Sequence, residues 1–204
     1  MGAQETSAQG SASAGKPNQL RAFTGLIPLI LSLPLYILSL WTPAIIVGIL
    51  ITLAVIVYHL RIGQGITSLD QLTLLFGIVN AVVYFGFKSL ILNEHIAAVI
   101  YSILLAQVAA SLLHGDPWTL QYAKRSNPRE VWDTPAFVEG NRFVTVVWGV
   151  AFLLCDLAAL FGGGAALRYY IPIALLVVVA VVTPRLAVWY ARARSLPGAE
   201  RLKR

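Results

Sequence analysis

The residues with chemistry to offer are few, and most of them lie inside apolar runs. Asp156 sits in AFLLCDLAALF, Lys88 in YFGFKSL and Asn80 a few residues before it. An ionisable group within a membrane-spanning helix is expensive, so it is a functional candidate by default. If residues 69–92 form one helix, Lys88 leans back toward its own N-terminus and toward the depth of Asp156. The spacing therefore predicts an intramembrane polar cluster of Asp156, Lys88 and Asn80. Its bland reading is a buried ion pair that fixes helix register. Its functional reading is a proton or ligand site.

Other constellations do not assemble. His59, His95 and His114 share no HxxxH spacing, and no HExxH is present. No cofactor is expected. Axial ligation of haem or a chlorin by His59 or His114 is the minor alternative, because a histidine near a helix end more often meets terminal carbonyls and the dipole. The lone cysteine, Cys155, excludes an intramolecular disulfide and a CxxC site. There is no GxSxG elbow, Walker loop or GxGxxG. No metal site and no catalytic residue emerge, and the reading leans away from an enzyme.

The elements that must position these groups follow from composition. Of 204 residues, 58% are hydrophobic and 12% charged, against about 25% charged in a soluble domain. Lipid is the solvent that fits. A helix rises 1.5 Å per residue and the hydrocarbon core is about 30 Å thick, so a span needs about 20 apolar residues. Six segments qualify: roughly 23–40, 43–60, 69–92, 96–113, 142–161 and 169–189. The expected fold is an all-α polytopic membrane protein of about six transmembrane helices in residues 21–192. A flexible Ala/Gly/Ser-rich tail (1–20) precedes it and a basic tail (193–204) follows. Thr67 or Ser68 can cap the third span, and Thr42 with Pro43 the second.

Charge sets the orientation. Under this layout 13 of the 15 Lys and Arg residues fall on one side and only Lys88 and Arg168 on the other. The enriched side is expected to be the cytoplasm, with both termini there. The net charge of +6 and pI of about 9.7 then point to anionic lipid headgroups rather than nucleic acid. The location expected is a bacterial cytoplasmic membrane.

The largest polar segment is the loop 114–141, where Trp118, Tyr122 and Trp132 mix with Lys124, Arg125 and Arg129. It predicts one or two short interfacial helices, with aromatics at headgroup depth and cations toward phosphates. Asn127–Pro128 and Thr134–Pro135 offer helix starts.

The stretches LIPLILSLPLY, NEHIAAVIYSILLAQVAASLL and NRFVTVVWGVAFLLCDLAAL resemble the bacterial intracellular septation protein A family. The polar marks are Pro28, Asn93, Tyr101, Asn141, Trp148 and Cys155. The resemblance implies an inner-membrane protein of envelope maintenance or cell division, with no catalytic residues to carry over. The expected function is contact with other membrane proteins. The alternatives are a small transporter or channel built on Asp156, Lys88 and Asn80, and an accessory subunit of a larger complex that holds pigment or haem.

Overall fold

The computed structural model describes residues 27–197 and 199–200. Among them every regular element is helical. Helix α1 (Ile27–Ile37) leads into α2 (Trp41–Arg61) and α3 (Ser68–Ala81). The third helix continues as a π-helical turn over Val82–Gly86. A single short turn, α4 (Ile91–Glu94), precedes α5 (Ile96–Leu113). Then come α6 (Trp118–Ser126), a 3-10 turn (Arg129–Val131), α7 (Pro135–Phe161), a second π turn (Ala166–Tyr170) and α8 (Ile171–Ala193).

Among the described residues, five helices are long and apolar enough to cross a membrane: Trp41–Arg61, Ser68–Gly86, Ile96–Leu113, Pro135–Phe161 and Ala166–Ala193. In such helices every interior backbone N–H and C=O is satisfied within the segment, as hydrocarbon demands. The expected first span, 23–40, begins outside the described residues. Its described part, α1, has 11 residues and rises only about 16 Å. The 1–20 tail and the last four residues also lie outside the described residues.

Local chemistry explains the boundaries. Thr67 caps α3: its hydroxyl accepts from the Asp70 N–H, and Asp70 accepts from the Thr67 N–H in return. Thr134 caps α7, with Pro135 in the first turn, where a missing N–H costs nothing. That start opens the fifth span itself rather than a separate surface helix, so α7 runs seven residues ahead of the expected Arg142. Thr42 does not cap α2; its hydroxyl lies 2.9 Å from that of Tyr84. Gly164 takes φ +81° in the turn after α7, a conformation costly for any residue with a Cβ.

Two cores form. Leu104, Val108, Trp118, Trp148, Phe152 and Cys155 join α5, α6 and α7. Tyr36, Ala44, Ile45 and Ile96 join α1, α2 and the start of α5. Close approach replaces hydrophobic drive between helices in lipid. A Cβ on Gly77 would lie 2.8 Å from Ile49, and one on Gly140 would lie 3.1 Å from the Ala187 carbonyl. Ala106 and Ala110, one helical turn apart on α5, lie exposed. The first residues after α8 fold back: the Ala136 N–H donates to the Pro197 carbonyl, and Ala199 packs with Ala136 and Ala191.

Candidate functional site

The expected cluster of Asp156, Lys88 and Asn80 does not assemble. Asp156, on α7, is 9% exposed and accepts a 3.0 Å hydrogen bond from Ser102 on α5. Its second oxygen, Oδ1, is buried without a protein partner. Asn80, on α3, is fully buried. Its amide donates to the Tyr36 hydroxyl at 3.1 Å and to the Asn93 carbonyl oxygen at 3.0 Å, which ties α3 to α1 and α4.

Lys88 belongs to neither group. It is exposed and takes φ +54°, and no ion pair joins it to Asp156 among the described residues. The pairing argument needed one continuous helix through 69–92. The helix instead widens at Val82–Gly86 and breaks over 87–90. Once Lys88 turns left-handed, its side chain no longer follows the helical direction that would lean it toward Asp156.

Among the described residues, the buried contact between a basic and an acidic side chain lies elsewhere. His59 Nδ1 stands 3.0 Å from Asp70 Oδ2, with the two side chains 0% and 1% exposed. His59 ends α2 and Asp70 begins α3, so the pair closes the hairpin between them. The same Asp70 oxygen accepts from the Thr67 N–H at 2.9 Å. One carboxyl group thus serves a helix N-terminus, a backbone N–H and an imidazole together. Sequence reasoning considered Thr67 as a cap and His59 as a chain-end histidine but passed over Asp70. The Thr67-x-x-Asp70 spacing is the signal that could have found it, since it is a capping box with Asp at the third position.

The segment between α5 and α7 is a folded cap. Trp118 is buried, edge-on to Tyr122, Trp148 and Phe152 at centroid distances of 5.3, 5.9 and 5.9 Å. It is a socketed core residue rather than an exposed ring, because α7 presents Trp148 and Phe152 to it. Thr119 extends the anchor: its hydroxyl donates to the Asn141 carbonyl at 2.9 Å and lies 2.8 Å from that of Thr145. On the other side Gln121 accepts from the Ser68 N–H at 3.2 Å, and Arg125 donates to the Gly65 carbonyl. The cap therefore bolts the α2–α3 hairpin to α7. Burial of the Tyr122 phenol pushes its pKa up to about 12.

The remaining loop residues gather around Trp132. Its indole N–H donates to the Asn127 carbonyl at 3.0 Å. Lys124 Nζ and Arg129 Cζ lie 5.7 and 5.6 Å from its ring centroid, within cation–π range. The Asn127–Glu130 start makes only the 3-10 turn, with no side-chain cap. His114 Nδ1 sits 2.7 Å from the Ala110 carbonyl at its own helix end. No group of three or more His, Cys, Asp or Glu residues stands together among the described residues.

Chemically, the buried polar groups act first as ties. His59–Asp70 joins α2 to α3, Ser102–Asp156 joins α5 to α7, and Asn80 joins α3 to α1 and α4. With five described helices long and apolar enough to cross a membrane, the described residues form an all-helical protein of the multi-pass membrane class. No family model, no curated protein and no solved structure matches the chain. The resemblance to the septation protein A family therefore rests on the quoted residues alone.

Proposed function

We propose that the protein works without catalysis, through contacts with other membrane proteins, and that the segment 117–140 is its contact surface. The observation that carries this reading is the socketing of Trp118. It fixes the cap to the spans, so the exposed Pro128, Glu130 and Asp133 stand in a defined position relative to the bilayer. A surface ordered in advance loses less entropy on binding. Three buried polar contacts support the same reading, since His59–Asp70, Ser102–Asp156 and Asn80 with Tyr36 and Asn93 each engage a neighbouring helix.

In this reading the enriched cationic side is the cytoplasm of a bacterial inner membrane, both termini lie there, and anionic lipid surrounds that face. The resemblance to septation protein A supports a role in envelope maintenance or cell division. The transport alternative loses Lys88 from its path, and Asn80 is closed to solvent.

Photo-crosslinkers placed at Glu130 and Asp133 in cells test the proposal. Discrete protein adducts are expected from both positions. Lipid adducts alone, or no adducts, would refute it.

A further inference from the structure

The geometry points to a specific seat for an anionic phospholipid headgroup at the end of α6, built from Lys124, Arg125, Arg129 and Trp132. Lys124 and Arg125 occupy the last turn of α6, and Arg129 follows on the 3-10 turn. The Trp132 indole is pinned by its bond to the Asn127 carbonyl. Lys124 and Arg129 converge on that ring. Two cations held against one aromatic ring repel each other, and the terminal carbonyls of α6 offset only part of that repulsion.

Among the described residues no carboxylate is paired with them. The ion pairs among the described residues are His59–Asp70 and Arg142–Glu139. Glu130 and Asp133 lie nearby in sequence, but neither is paired with these cations. A phosphate diester placed against Lys124 and Arg129 would supply the missing counter-charge. A guanidinium and an ammonium offer it complementary contacts, forked from Arg and point-like from Lys.

Position selects the source of that phosphate. Arg125 is held to the carbonyl of Gly65, in the turn joining two membrane-spanning helices. Trp118, at the other end of α6, is buried against the spans. The cationic turn is therefore fixed at the membrane edge, where lipid phosphates are concentrated. An acidic protein segment shares the charge but not that confinement. The seat is independent of the proposed protein contacts, and it is read on the isolated protein.

The test uses the full chain in vesicles of equal parts phosphatidylcholine and phosphatidylglycerol. The protein is extracted gently, and its retained lipid is identified by native mass spectrometry. The parent is expected to keep phosphatidylglycerol in preference. A cation near an anionic surface is worth about a fivefold change in affinity. Arg129→Gln, at an exposed position, should lower retention about fivefold, and Lys124→Gln with Arg129→Gln about tenfold or more. Arg185→Gln with Arg192→Gln removes equal charge from exposed sites on α8 and should leave retention unchanged. Undiminished retention in the Lys124/Arg129 variant, or an equal loss in the α8 variant, would overturn the seat. So would a preference for an added acidic peptide over phosphatidylglycerol.

Discussion

Replacing Trp118 by alanine separates a socketed cap from a helix afloat on the membrane surface. Three aromatic rings meet this indole edge-on, and such contacts contribute about 0.5–1.5 kcal/mol each beyond area burial. Buried Trp→Ala changes in soluble proteins cost about 3–5 kcal/mol. A released cap still finds some compensation at the lipid interface, which lowers the net loss. The lower end of the range, about 3 kcal/mol, is therefore expected, roughly a hundredfold in the unfolding equilibrium. Trp118→Phe should cost less, since it keeps a ring in the socket and removes an indole N–H that has no partner. The assay is reversible denaturation in micelles followed by near-ultraviolet circular dichroism. A surface helix predicts a different result, in which Trp118→Ala changes stability by less than about 0.5 kcal/mol. That result would refute the socket and the contact surface built on it.

Two further substitutions probe the polar ties. Asp70→Ala removes a buried hydrogen-bond partner of His59 together with half of the α3 capping box, and should cost about 3 kcal/mol or more. Thr67→Ala removes the capping hydroxyl alone and should cost about 1 kcal/mol. Equal losses in thermal unfolding would show that His59 does not depend on Asp70. In double-mutant cycles, Ser102→Ala and Asp156→Ala should couple by about 0.5 kcal/mol or more, whereas Lys88→Ala and Asp156→Ala should add. Coupling between Lys88 and Asp156 would restore the ion pair that the geometry separates.

The spans were legible because lipid enforces them. A run of apolar residues long enough to cross hydrocarbon has almost no structure open to it but a helix. The expected 96–113 span matches α5 to the residue. The same signal under-reads α7. Its first turns carry Glu139, Asn141 and Arg142, so hydropathy stops there, but the helix does not. It continues because Thr134 caps it and Gly140 lets it pack against the Ala187 carbonyl. Hydropathy measures the length immersed in lipid, and helix length is set also by caps and close packing. The third span failed in the opposite direction. Residues 79–92 are apolar apart from Asn80, Lys88 and Ser89, and nothing in that composition marks where the hydrogen-bond ladder slips by one residue into a π turn.

That slip decided the candidate site. Pairing Lys88 with Asp156 required side-chain direction to be carried along an unbroken helix, so one local change in register removed the tertiary conclusion. His59 and Asp70 escaped notice for a complementary reason. They lie 11 residues apart, a separation at which neither helical periodicity nor a short motif brings two residues together. Only the closure of the α2–α3 hairpin does so. Thr67 was visible because a cap is a local device. Asp70 is legible in sequence only as its reciprocal partner, which sequence reasoning passed over, and its second task, holding an imidazole inside the bundle, depends on how two helices meet. Polar residues at helix ends are thus poor evidence when read singly. They become informative when one carboxylate can be shown to satisfy a backbone N–H and a buried side chain at once, because replacing it then costs more than the cap alone. The difference between the Asp70→Ala and Thr67→Ala losses measures that excess.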